Sequence, residues 1–193
     1  AARRQRDPDA RAWLAETLRR LEQTGAAVDV ARQALALDSC HSFAHSILAS
    51  AFNPQYADWP FVDADSTWHH AMLAVGCDSL NGDAWFTLWN ESMRRGRSDI
   101  ERRSLRTLVR SRFLLPPLLA YSRWVLRSLP QNALLITNGD MDTYPALALQ
   151  EVEGIRTDVA IVNMPMLNLD WYLALVCERY GLPLRTILLR LVH

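Results

Sequence analysis

The chain contains no lysine. Its 21 basic side chains are all arginine, and 21 Asp and Glu balance them. A net charge of zero excludes a general nucleic-acid binder, which needs a basic excess. No apolar run approaches the roughly 18 residues of a membrane span, and no signal-peptide pattern is present. The chain opens on Ala1 rather than Met, so a removed signal or anchor stays open. Cysteine is scarce, with Cys40, Cys77 and Cys177 odd in number and scattered. That disfavours a disulfide framework, and the lack of any Cys-x-x-Cys pair disfavours structural zinc. Unpaired, buried thiols in a reducing, cytoplasmic compartment are therefore expected; an exported or membrane-peripheral protein is expected if a signal or anchor was lost. There is no Gly-x-Gly-x-x-Gly and no Gly-x-Ser-x-Gly, which removes the usual dinucleotide site and the hydrolase elbow. No catalytic residue is assigned.

Half of the sequence is hydrophobic, so a core can form. Residues 1–9 are polar and Arg-rich and read as a flexible lead-in, with Asp9 as the N-cap of a first helix. Trp13, Leu14, Leu18 and Leu21 recur at helical spacing and define its apolar face. Ala27, Val30, Ala31, Ala34, Leu35 and Leu37 form the next face, and Phe43, Ile47, Leu48 and Phe52 a third. His41 and His45 lie four apart, a metal-ligand spacing, but no Glu follows His41 as in a zinc protease.

An internal repeat underlies this region. Ala34-Leu35-Ala36-Leu37-Asp38-Ser39 aligns with Ala74-Val75-Gly76-Cys77-Asp78-Ser79 at an offset of 40 residues. Ala27 and Ala31 then match Thr67 and Ala71, and His45, Leu48 and Ala49 match Trp85, Leu88 and Trp89. These positions resemble the tetratricopeptide repeat, with Ser39 and Ser79 where that family usually has Pro. Its period is about 34 residues, and the turn-rich stretch 53–60 supplies the extra length. The resemblance covers residues 10–115 and implies helical hairpins that offer a concave surface to partner segments.

Between Arg94 and Arg112 the chain is basic, with an apolar stripe of Ile100, Leu105, Leu108, Val109 and Phe113. Either it is a solvated outer helix face, or Arg102, Arg103, Arg106 and Arg110 form a patch for an acidic partner or anionic headgroups. Pro116-Pro117 stops this helix, and Leu118–Leu129 forms another.

From Asn132 the pattern changes to strand, turn, helix, strand, turn, helix. Ala133–Thr137 and Asp158–Asn163 are short, non-alternating apolar runs, which points to a parallel βαβ unit. Pro145 fits the first turn of the helix between them and Gly154 its end. A further helix follows over Asn168–Tyr180, and Leu184–Val192 reads as a third strand or a helix. The fold class is thus mixed α/β and predominantly α: tetratricopeptide-like hairpins over 10–129, then a small Rossmann-like βαβ unit over 130–193.

The loops after both strands meet at one sheet edge, where open α/β sheets bind ligands. Candidate ligand residues there are Asn138, Gly139, Asp140, Asp142, Thr143, Asn163, Asn168 and Asp170. Asp140 and Asp142 form an Asp-x-Asp pair that suits Mg²⁺ or Mn²⁺, although Asp142 equally suits the start of a helix. Asn138 and Asn163 equally suit a structural role, stitching the two loops together. The stretch 132–172, with Asn138-Gly139-Asp140-Met141-Asp142-Thr143-Tyr144-Pro145 and Leu167-Asn168-Leu169-Asp170-Trp171-Tyr172, resembles a soluble segment of bacterial membrane glycosyltransferase-like proteins related to protein O-mannosyltransferases. The transmembrane catalytic part of that family has no counterpart here, so the resemblance implies a βαβ module and no transferase activity. The leading expectation is a non-enzymatic scaffold, an accessory subunit of a larger and membrane-associated complex, binding protein partners and no cofactor. The alternative is a small-ligand or nucleotide-sugar domain with a divalent metal at Asp140 and Asp142.

Overall fold

A computed structural model describes residues 7–182 apart from 56, 58 and 59. The expected strand or helix at Leu184–Val192 lies outside these residues, as does most of the lead-in. Nine α-helices and two strands occur among the described residues, which fall into two compact units meeting between Glu91 and Ser92. The turn at Pro130, expected as a boundary, lies inside the second unit.

The first unit contains α1 (Pro8–Arg20), α2 (Thr24–Leu37), α3 (Ser42–Phe52), α4 (Ala64–Cys77) and most of α5 (Gly82–Arg94). Helix α1 starts earlier than its sequence suggested. Asp7, not Asp9, is the cap: its carboxylate accepts the Asp9 N–H at 3.0 Å, and Pro8 fills the first turn, where no N–H is needed. Helix α1 packs on α2, α3 on α4, α2 on α3 and α1 on α3, the neighbour pattern of a helical repeat.

The buried face of α1 differs from the expected one. Ala12 and Ala15 are fully buried, while Trp13, Leu14 and Leu21 are exposed. Small side chains win because they share one core cluster with Ala31 and Ala34 of α2, also fully buried, and let the helix backbones approach closely. A large side chain at Ala12 or Ala15 would force the pair apart at a cost of about 1–3 kcal/mol. On α2, Val28 is buried and Leu37 is exposed, again against the simple periodic reading.

The offset of 40 residues holds atom by atom. Asp38 Oδ1 accepts the Cys40 N–H, and Asp78 Oδ1 accepts the Leu80 N–H. His41 Nδ1 caps α3 through the Ala44 N–H, and Asn81 Oδ1 takes the Ala84 N–H at the start of α5. His45 Nε2 lies 3.2 Å from the Ser39 carbonyl, and Trp85 Nε1 donates to the Ser79 carbonyl at 2.9 Å. Two different ring N–H groups thus close the same turn in successive hairpins.

The cysteines are not all free. Cys40, in the turn after α2, is disulfide-bonded to Cys77, the last residue of α4, with Cα atoms 5.4 Å apart. Only Cys177 is unpaired among the three. The expectation of a fully reduced set fails because α2 and α4 bring together two cysteines 37 residues apart in sequence, a proximity that spacing alone does not encode. It also removes the ground for favouring a cytoplasmic location.

The second unit contains α6 (Ser98–Arg110), α7 (Pro116–Ser128), β1 (Leu134–Thr137), α8 (Asp140–Glu153), β2 (Ala160–Asn163), a short 3-10 turn (Pro165–Asn168) and α9 (Asp170–Tyr180). Pro116 and Pro117 open α7 rather than ending α6, which stops at Arg110. The strands pair in parallel, with Leu134 opposite Ala160 and Thr137 opposite Asn163, as a βαβ unit requires. Helix α8 begins at Asp140, so Pro145 lies inside it, not in its first turn. The missing N–H leaves the Met141 carbonyl, close to the exposed helix start, without its intrahelical donor. Gly154 ends α8 in the left-handed region at φ 63°. Leu149, Val159, Ile161 and Val162 are buried around the sheet, and truncating Leu149 to Ala would cost about 2–5 kcal/mol.

Arg156 ties this unit together. Its guanidinium donates to the carbonyls of Leu126, Leu129 and Pro130 at the end of α7, at 2.7–2.8 Å, and also to Asp158. The Asp158 carboxylate in turn accepts the Asn132 N–H at 2.8 Å, fixing the entry to β1.

Candidate functional site

At the ends of the strands, most of the expected ligand residues serve the fold. Thr143 is fully buried and its hydroxyl bonds to Thr137 Oγ1 and the Gly139 carbonyl, both at 2.6 Å. Asn163 is buried, with its Oδ1 taking the Met166 N–H and its own N–H donating to the Tyr172 hydroxyl at 3.0 Å. Asn168 donates to the Pro165 carbonyl. Asn138 and Asp170 are exposed, and no amide bridge links Asn138 to Asn163. Asp140 Oδ1 accepts the Tyr144 hydroxyl at 3.0 Å. Residues two apart on a helix lie about 200° apart around its axis, so Asp140 and Asp142 at the start of α8 diverge instead of converging on one point. Among the described residues, no group of three or more His, Cys, Asp and Glu side chains converges as a metal site would require.

Asp142 instead faces a cleft of about 200 Å³ between α7, β1 and the start of α8. Its walls are Tyr121, Ser122 and Val125 from α7, Leu135, Ile136 and Thr137 from β1, and Ala146. The cleft combines apolar walls with the hydroxyl-bearing side chains Tyr121, Ser122 and Thr137 and one carboxylate. Sequence reasoning identified Asp142 but missed the α7 residues. Tyr121 and Trp124, three apart, are both exposed, with ring centroids 6.2 Å from each other.

The first unit carries a groove of about 190 Å³ built by α1, α3 and α5. Trp13 and Phe43 form its aromatic wall, with ring centroids 4.9 Å apart. Its charged wall is Glu16, Arg19, Arg20 and Asp83. Burial would raise the Glu16 pKa, but hydrogen bonds from Arg19 and Arg20, at 2.6–2.9 Å, outweigh it and hold the carboxyl below its usual range. Asp83 is pushed up, first by burial and then by the charge of Glu16.

His41 and His45 do not act as a ligand pair. His41 caps α3 and places Nε2 2.9 Å from Asp9. His45 meets His70 of α4, with the Nδ1 atoms 3.0 Å apart. Because His45 Nε2 donates to the Ser39 carbonyl, its Nδ1 must accept, so His70 donates from Nδ1. Burial first, and then the charges of His45, His69 and Arg32, push the His70 pKa down to about 4.

On α6, Arg102, Arg103, Arg106 and Arg110 all lie on the exposed face, opposite buried Ile100, Leu105 and Leu108. Arg106 is engaged with Glu151 of α8 at 2.6 Å.

Residues 119–179, from α7 to α9, match the family model described as TMEM260-associated domain 2. Over 53 residues the chain is 36% identical to the mouse protein named Protein O-mannosyl-transferase TMEM260, a stretch covering 28% of this chain and 8% of that protein. The resemblance to O-mannosyltransferase-related proteins thus has a counterpart in the second unit, on a mammalian rather than a bacterial relative. No solved structure matches the chain. No described helix is long and apolar enough to cross a membrane.

Proposed function

We propose that this chain is a protein-interaction module of tetratricopeptide-like hairpins joined to a Rossmann-like βαβ unit, an accessory part of a larger, membrane-associated assembly. The observation that carries the reading is Trp13. It stands 64% exposed on the wall of a groove to which α1, α3 and α5 all contribute. Tryptophan left in water beside a groove is the side chain that most often anchors a partner. The similarity to a small part of a protein O-mannosyl-transferase supports a role beside glycosyl transfer rather than in it. The Cys40–Cys77 bond supports an exported, oxidising location.

A photo-crosslinking amino acid placed at Trp13, with a control at exposed Leu73 on α4, tests this in cells that express the full chain. A partner captured at position 13 and absent at position 73 is the expected result. Equal capture at both positions, or capture at neither, refutes the groove as the partner site.

A further inference from the structure

The second unit carries a docking surface that is independent of the helical groove. The Ala160 N–H donates to the Ala133 carbonyl at 3.0 Å, and the Met164 N–H to the Thr137 carbonyl at 2.8 Å. Residues that bond to one neighbouring strand alternate along a parallel ladder. Leu135 therefore shares the β2 side, and Leu134 and Ile136 direct their N–H and C=O groups to the opposite edge. Among the described residues the sheet holds only β1 and β2, and none of those residues places a strand on that edge. Both edge residues also expose their side chains, Leu134 at 41% and Ile136 at 58%. Parallel strands are ordinarily covered on both faces, and an open apolar edge is a template for another strand.

The cleft borders this same strand. Ser122 lines it and is only 4% exposed. Asp142 lines it too, is exposed, and as a carboxylate offers acceptor oxygens only. We propose that the β1 edge receives an extended, mainly apolar strand of a partner protein, with one Lys or Arg side chain of that strand entering the cleft. The main-chain groups of Leu134 and Ile136 supply the ladder, as in recognition by strand addition. The aliphatic stem of the basic side chain lies along Val125 and Leu135. Its cationic head passes the Tyr121 ring and ends on Asp142 and Ser122. A space of about 200 Å³ admits one such side chain and excludes a folded element.

The probe is a short fluorescein-labelled peptide that alternates Val and Thr around one central Lys, titrated with the full chain by fluorescence anisotropy. Saturable binding is expected. It should weaken about tenfold in Asp142→Asn, the loss of one charged hydrogen bond. It should weaken far less with Asp142→Asn when norleucine replaces the Lys. Binding should vanish in Ile136→Pro, which an edge strand tolerates but which removes the N–H that the incoming strand needs. A peptide N-methylated along one edge tests the same point without altering the protein. Undiminished binding of that peptide, an equal effect of Asp142→Asn on the Lys and norleucine peptides, or no saturable binding overturns the proposal. So does a concentration-dependent dimer in sedimentation that Ile136→Pro abolishes, because a second copy would then own the edge. The Trp13 result has no bearing on any of these outcomes.

Discussion

Breaking the Cys40–Cys77 bond should destabilise the protein by an amount that follows from its position. The bridge closes a loop of 37 residues. In the chain-entropy model the restriction of the unfolded chain is then worth about 3.8 kcal/mol at 25 °C. For a chain of this size that corresponds to a fall in Tm of about 8–15 °C. The loop contains α3, α4 and their connection, so the bond limits how far successive hairpins separate in the unfolded ensemble. The assay is urea unfolding followed by far-UV circular dichroism on the oxidised protein, the protein in reductant, and the double variant Cys40→Ser, Cys77→Ser. The last two should share one midpoint, below that of the oxidised form. Thiol titration of the denatured, unreduced chain should count one free thiol, from Cys177. Three free thiols in protein made in an oxidising compartment, or identical midpoints with and without reductant, would refute the reasoning.

Arg156→Lys should cost roughly 2–3 kcal/mol in the same urea assay, because an ammonium cannot serve three carbonyls and Asp158 together. Lowering the pH should weaken the first unit before the second. His70 holds a folded pKa of about 4 against an ordinary 6.5, so the unfolded chain binds more protons between those values. The stability is whole above pH about 6.5 and lost progressively toward pH 4; His70→Gln, which still donates to His45, should flatten that part of the urea-midpoint profile. Asp158, held well below the usual carboxylate range by hydrogen bonds from Arg156 and the Asn132 N–H, adds a loss in the second unit only below pH about 4. Charge reversal at Arg102 and Arg110 should leave folding within about 0.5 kcal/mol of the parent. If α6 meets an acidic partner, the same change should abolish the salt-sensitive part of that binding. Arg106→Glu should cost more than either, since it sets a second carboxylate against Glu151.

The parts of the fold legible in the sequence were those set by local chemistry. Gly154 announced the end of α8, two short non-alternating apolar runs announced a parallel pair, and the spacing from Ala34 to Ala74 announced successive hairpins with matching buried positions. What was not legible depends on neighbours. Trp13 and Leu14 look like core residues until the helix they would pack on turns out to present Ala31 and Ala34. The Asp140 and Asp142 pair looks like a clamp only if it sits in a loop. As the opening turn of α8 it points two ways, and Thr143 beside it is a buried structural hydroxyl. The two cysteines meet through tertiary packing, and no count of intervening residues reveals that.

The Arg156 clamp has a consequence for synthesis. The carbonyl of Leu129 waits for a donor that lies 27 residues further along the chain. At translation rates of about 5–20 residues per second, α7 leaves the ribosome a few seconds before the group that finishes its C-terminal end. During that interval the carbonyls that follow α7 and the β2-facing side of β1 both lack their partners. The window closes when Arg156 and Asp158 arrive, just ahead of β2. Premature termination between residues 129 and 156 would hold the window open permanently, and such fragments should be substrates for chaperones and proteases, whereas the finished unit is not.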